Sequence, residues 1–133
     1  MPLTQKQIEG FASLAYNLYQ QRKFEDARKI FLGLTGVAPH SYYGYAGLGA
    51  LALAANPPDL EAAFTNLKRA TELNSSDPCT HENLGQTLLR QGKREQAAVE
   101  FYEAWFCRRE RNGSPTPLSG PSLRGTTPRN TQN

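Results

Sequence analysis

Lys23-Phe24-Glu25-Asp26-Ala27-Arg28-Lys29-Ile30-Phe31 sets a spacing of aromatic, small and aromatic residues that recurs twice further along the chain. Aligned on the small residue, Ala27 corresponds to Ala63 and then Ala97, at intervals of 36 and 34 residues. The apolar residue four positions on reads Phe31, Leu67 and Phe101, and a second small residue follows at Ala70 and Ala104, with Leu34 in the first copy. Upstream of each copy stands a leucine beside a small residue: Leu14-Ala15, Leu48-Gly49 and Leu84-Gly85. The chain is therefore three copies of one unit of about 34 residues.

Each unit reads as two helices. Thr4 and Gln7 have the spacing of a capping box, which starts a helix over about 5–21, with Ile8, Phe11, Leu14, Ala15 and Leu18 at helical spacing as the stripe expected to face the partner helix. Arg22-Lys23 turns the chain into a helix over about 24–36; glycine suits a left-handed residue at such a turn, so arginine there costs about 1 kcal/mol. The third helix, about 41–55, carries Gly44, Gly47 and Gly49, each of which costs roughly 0.5–1 kcal/mol relative to alanine, so close approach of a neighbouring helix or a bound chain must offset them. Asn56-Pro57-Pro58-Asp59 makes a longer turn and accounts for the interval of 36, with Pro58 able to open a helix over about 59–74. Asp77-Pro78 starts a helix to about 91, Gly92 turns, and the last helix covers about 94–111.

Self-similarity near 34 residues with two helices per unit is the signature of tetratricopeptide repeats. The predicted fold is all-α: three tandem tetratricopeptide-like helix-turn-helix repeats, about residues 8–39, 40–75 and 76–111, forming a short right-handed superhelix within a 1–111 domain. From Asn112 on, four prolines and three glycines are set among arginine, serine and threonine, so residues 112–133 are expected to be a disordered tail.

Composition excludes several functions. Residues 1–107 hold ten lysines and arginines against eleven acidic residues, whereas residues 108–133 hold five arginines against one glutamate. The net charge of +3 thus belongs to the tail and argues against a nucleic-acid-binding face on the folded part. No apolar run is long enough to insert in a membrane and the N-terminus lacks a signal-peptide pattern, which points to a soluble cytosolic protein with its two cysteines as free thiols. Cys79 and His81 are the only close pair of soft ligands, but two residues apart on a helix they diverge by about 200°, so no metal site is expected. No nucleophile motif or phosphate-cradling glycine loop is present, and no catalysis or cofactor is assigned.

In a stack of helix pairs the first helix of each pair lines a concave surface. One stripe of that helix is not committed to packing: Glu9, Ala12, Tyr16 and Tyr19 in the first unit, Tyr43, Ala46, Ala50 and Leu53 in the second, Cys79, Glu82, Gln86 and Leu89 in the third. Tyr16, Tyr19 and Tyr43 offer apolar faces with hydroxyls, Ala46 and Ala50 leave room for pockets, and with Leu53, Gln86 and Leu89 they form the predicted partner-binding set. Tyr42 and Tyr45 are expected in the core. Phe101 is expected to pack within the last pair, while Trp105 or Phe106 offers a surface for self-association as a homodimer.

Leu14-Ala15-Tyr16-Asn17, Tyr19-Gln20, Lys23-Phe24-Glu25-Asp26-Ala27, Lys29-Ile30-Phe31, Leu34 and Gly47-Leu48-Gly49-Ala50 together resemble the bacterial class II type III secretion chaperones, which bind hydrophobic translocator proteins. The resemblance implies a cytoplasmic, non-enzymatic protein that holds an extended segment of its secretion substrate in the concave face and releases it at the secretion apparatus. The alternative is a tetratricopeptide scaffold that assembles a protein complex.

Overall fold

The computed structural model describes residues 2–112, all of whose regular structure is helical: α1 (Gln5–Gln20), α2 (Phe24–Val37), α3 (Tyr42–Ala54), α4 (Leu60–Leu73), α5 (Pro78–Arg90) and α6 (Arg94–Arg111). The tail expected to be disordered lies outside the described residues. Each helix starts where local chemistry lets it start. The Thr4 hydroxyl accepts from the Gln7 amide at 3.1 Å while the Gln7 side chain accepts from the Thr4 amide at 2.9 Å, closing the capping box at α1. Ser41, Asp59 and Asp77 cap α3, α4 and α5 in the same way, each accepting from a first-turn amide. Pro78 opens α5 as its first residue, where no amide hydrogen is needed. Pro58 does not open α4; Asp59 takes the capping position, so the helix begins at Leu60 and the proline stays in the turn.

The turns inside the first and last pairs are alike. Arg22 takes φ +62° and Gly92 φ +82°, and in both the next amide bonds back to a leucine carbonyl, Lys23 to Leu18 at 2.8 Å and Lys93 to Leu88 at 2.9 Å. Arg22 thus holds the left-handed conformation that Gly92 adopts freely, with its guanidinium 5.2 Å from the centre of the Phe24 ring.

The chain divides into two compact units, residues 1–75 and 76–133. In the first, α1 packs on both α2 and α3, and α4 packs on α3. Its core is Ile8, Ala12, Ala15, Ala27, Phe31, Leu34 and Ala38. The buried face of α1 is therefore centred on Ile8, Ala12 and Ala15, and the stripe expected to pack is corrected: Phe11 and Leu14 are 43% and 48% exposed. Two alanines let α1 meet two neighbouring helices at once, which the bulkier pair would prevent.

The glycines of α3 have the same cause. A Cβ on Gly47 would overlap the Phe31 ring, and one on Gly44 would stand 2.7 Å from the Thr35 Cγ2 and 2.9 Å from the Phe31 carbonyl oxygen. On the opposite side of α3, a Cβ on Gly49 would overlap the Leu67 side chain of α4. Helix-to-helix contact, rather than a bound chain, accounts for all three.

The second unit is the α5–α6 pair. Leu84, Leu88, Ala97 and Ala104 are buried, and Gly85 admits the Phe101 ring as Gly49 admits Leu67, so Phe101 packs within its own pair. Polar bonds also join the two helices. The His81 Nδ1 lies 2.8 Å from the Glu100 Oε1, both side chains buried, while Arg108 bonds to Glu82 and Arg111 lies 3.8 Å from Asp77. That hydrogen bond from Arg108 to Glu82 further stabilises the charged guanidinium.

Candidate peptide-binding face

In the first unit, α1 and α3 bring three of the predicted tyrosines onto one core. Tyr16, Tyr19 and Tyr43 are all half-buried against the cluster built on Phe31. The Tyr16 ring meets Phe31 edge-on with centroids 5.0 Å apart, and Tyr19 lies 5.5 Å from Phe24. Tyr43 stacks on Tyr42 at 4.4 Å. Each of these rings therefore has one part held by packing and another part open. Leu53 is half-buried three residues, just under one turn, beyond Ala50 on the same helix. Ala46 and Ala50 are 4% and 7% exposed, so they offer next to no surface of their own, and the pockets expected above them are not formed by exposed alanine surface. Ala12, assigned by spacing to the same uncommitted stripe, is instead part of the core.

In the second unit, Gln86 and Leu89 stand exposed three residues apart on α5, and Cys79 is exposed near its start. Glu82, between them, is engaged by Arg108. Cys79 points outward while His81 is buried against Glu100, so the two do not converge. Tyr45, expected in the core, is half-buried, with the Arg69 guanidinium 5.9 Å from its ring centre, and Tyr42 is half-buried as well.

Two features were not anticipated from sequence. The first is a groove of about 440 Å³ on the first unit, lined by Leu3, Phe11, Lys29, Ile30, Leu34 and Val37 among others. The second is the His81–Glu100 pair. Its signal was present in the repeat alignment: His81 stands where the other copies have Phe11 and Tyr45, and Glu100 where they have Ile30 and Asn66, so only the third repeat sets two ionisable residues at these positions.

No protein-family model matches the sequence, and no curated protein does. Solved structures do match. The type III secretion translocator chaperone SycD of Yersinia enterocolitica superposes with a TM-score of 0.68 at 25% identity, over 79% of this chain and 71% of that one. PcrH from Pseudomonas aeruginosa gives 0.64 at 25%, over 79% and 78%. The chain has the fold of the translocator chaperones. A further match is SycD in complex with a peptide of the translocator YopD, with a TM-score of 0.66 at 23% identity over 83% of this chain and 86% of that one. Among the described residues of this chaperone-like protein, no helix is long and apolar enough to cross a membrane.

Proposed function

We propose that the protein is a non-enzymatic, cytoplasmic chaperone of type III secretion that holds an extended segment of a hydrophobic translocator. The observation that carries this reading is the likeness to SycD, a protein solved with a translocator peptide. In the first unit the partly exposed rings of Tyr16, Tyr19 and Tyr43, with Leu53 and the small residues Ala46 and Ala50 of α3, are the surface offered to that segment; in the second unit Gln86 and Leu89 on α5 are.

Tyrosines fixed by packing on one side suit the task, because they present a wide apolar surface and a hydroxyl with little rotamer freedom left to lose. Burying one apolar anchor is worth roughly 1.5–3 kcal/mol, so three give about 5–9 before ordering costs are subtracted. That corresponds to micromolar or weaker binding of an isolated peptide, which suits a carrier that must release its cargo.

The test is co-expression with a membrane-active secretion substrate, followed by co-purification. Leu53→Glu with Leu89→Glu, both on side chains with open surface, is expected to leave the circular dichroism spectrum unchanged and to lose the substrate. Retention of the substrate by this variant would place the binding surface elsewhere, with the groove around Phe11 and Val37 next to be altered.

A further inference from the structure

α5 occupies one face of α6, where Phe101 enters the space beside Gly85 and Arg108 bonds to Glu82. The face turned the other way is centred on Tyr102. Seven residues are close to two helical turns, so Glu95, Tyr102 and Arg109 fall on one line along it. Ala98 and Trp105 flank that line on one side, Val99 and Phe106 on the other. The Tyr102 ring lies 6.0 Å from Trp105 and 6.3 Å from Phe106, and the Arg109 guanidinium sits 5.1 Å over the Trp105 ring. Trp105 is 40% exposed, Ala98 and Glu95 are exposed, and Val99, Tyr102 and Phe106 are half-buried.

This face is complementary to itself when turned end for end. Its two charges stand at opposite ends, the carboxylate of Glu95 and the guanidinium of Arg109, about 21 Å apart at 1.5 Å per residue. Size is graded in the same sense: the small Ala98 and Val99 lie toward the start of the helix, the large Trp105 and Phe106 toward its end. A parallel pairing of two such faces would set arginine on arginine and carboxylate on carboxylate. An antiparallel pairing sets each charge on its opposite and each large ring beside a small residue.

We infer that a second copy of the chain covers this face, with the two α6 helices antiparallel about a two-fold axis at Tyr102. The contact is isologous, each copy offering the same patch. Tyr102 meets its own counterpart, Trp105 lies against the second copy's Ala98, Phe106 against its Val99, and Arg109 meets its Glu95 at both ends. A single helix pair of this length, about 21 Å by 10 Å, is well short of the roughly 800 Å² per partner of a stable interface, so the dimer exchanges with monomer at micromolar concentration or above. The assignment is independent of the proposed chaperone function, since it uses none of the residues offered to the translocator segment.

Sedimentation velocity on the full chain, from micromolar to millimolar concentration, is expected to show the mass rise from 14.7 kDa toward that of two chains. Trp105 is the only tryptophan, so its emission should shift to the blue over the same range. Glu95→Arg or Arg109→Glu alone turns two attractions into two repulsions and is expected to weaken the dimer about tenfold. The two changes together are expected to restore it, an effect that only contact between copies can produce, because the two positions are too far apart to meet within one helix. Ala98→Glu, on exposed surface away from both charged ends, is expected to weaken the dimer as well, and far-UV circular dichroism checks that each variant keeps its helicity. A mass of one chain at every concentration would overturn the proposal. So would a dimer that none of these changes weakens, which would place self-association on another face, or a double variant as weak as the single ones.

Discussion

Gly47 shows how much a single hydrogen atom can decide. Where any other residue would carry a Cβ, the Phe31 ring already fills the space. Gly47→Ala is expected to lower the stability of the fold by about 1–3 kcal/mol, the usual range for overpacking a close-packed interior. Gly10 is the matched control, because it lies on exposed α1 surface with nothing within 4 Å of its would-be Cβ. Gly10→Ala is expected to raise stability by about 0.5–1 kcal/mol through reduced backbone freedom of the unfolded chain. Denaturant unfolding of the two variants checks both signs at once. The sequence announced that three glycines in one helix needed a reason; which neighbour supplied it could only be read from the packing of α2 and α4 against α3.

At the scale of elements, the helix starts and the left-handed turns were legible because they are local. A cap involves residues within about one helical turn of one another, so Thr4-x-x-Gln7 or Asp77-Pro78 carries its own answer. Which face of α1 is buried was not legible, because that depends on how near α2 and α3 come. The helix pairing of α5 with α6 was expected, but the bond that closes it was not read out, because His81 and Glu100 are 19 residues apart and only packing brings them together. His81→Leu removes a buried hydrogen bond and is expected to cost about 1–3 kcal/mol. Leucine at both positions, His81→Leu with Glu100→Leu, is expected to restore part of that loss, since the first repeat holds Phe11 and Ile30 at these sites and a buried polar pair can be replaced by apolar side chains of similar volume. A double-mutant cycle by thermal unfolding gives the coupling directly.

For the molecule as a whole, the Cys107 thiol makes one contribution to the dependence of stability on alkaline pH. Burial, then the carboxylates of Glu103 and Asp77, push its pKa above the ordinary value of 9.0. The folded state therefore holds this proton to a higher pH than the unfolded chain does. The associated stability is fully present below pH 9 and is lost as pH rises through the folded value. Chemical denaturation between pH 8 and about 11 is expected to show this decline, and Cys107→Ser to reduce it. A slope unaltered by that substitution would assign the alkaline loss to other groups.

The sequence by itself determined the repeat, the number and order of the helices, their caps and turns, and the concentration of positive charge beyond residue 107, because each follows from spacing, local hydrogen bonding or composition. Its likeness to the translocator chaperones was also readable, in the stretches around Leu14 and Gly47. Only the tertiary structure decided the register of burial. It drew Ala12 into the core and left Phe11 and Leu14 outside, buried Ala46 and Ala50, held Tyr16 against Phe31, and closed His81 on Glu100. The physical reason is that periodicity gives the direction of a side chain around its own helix, whereas burial depends on the distance and angle of the helices that come to meet it.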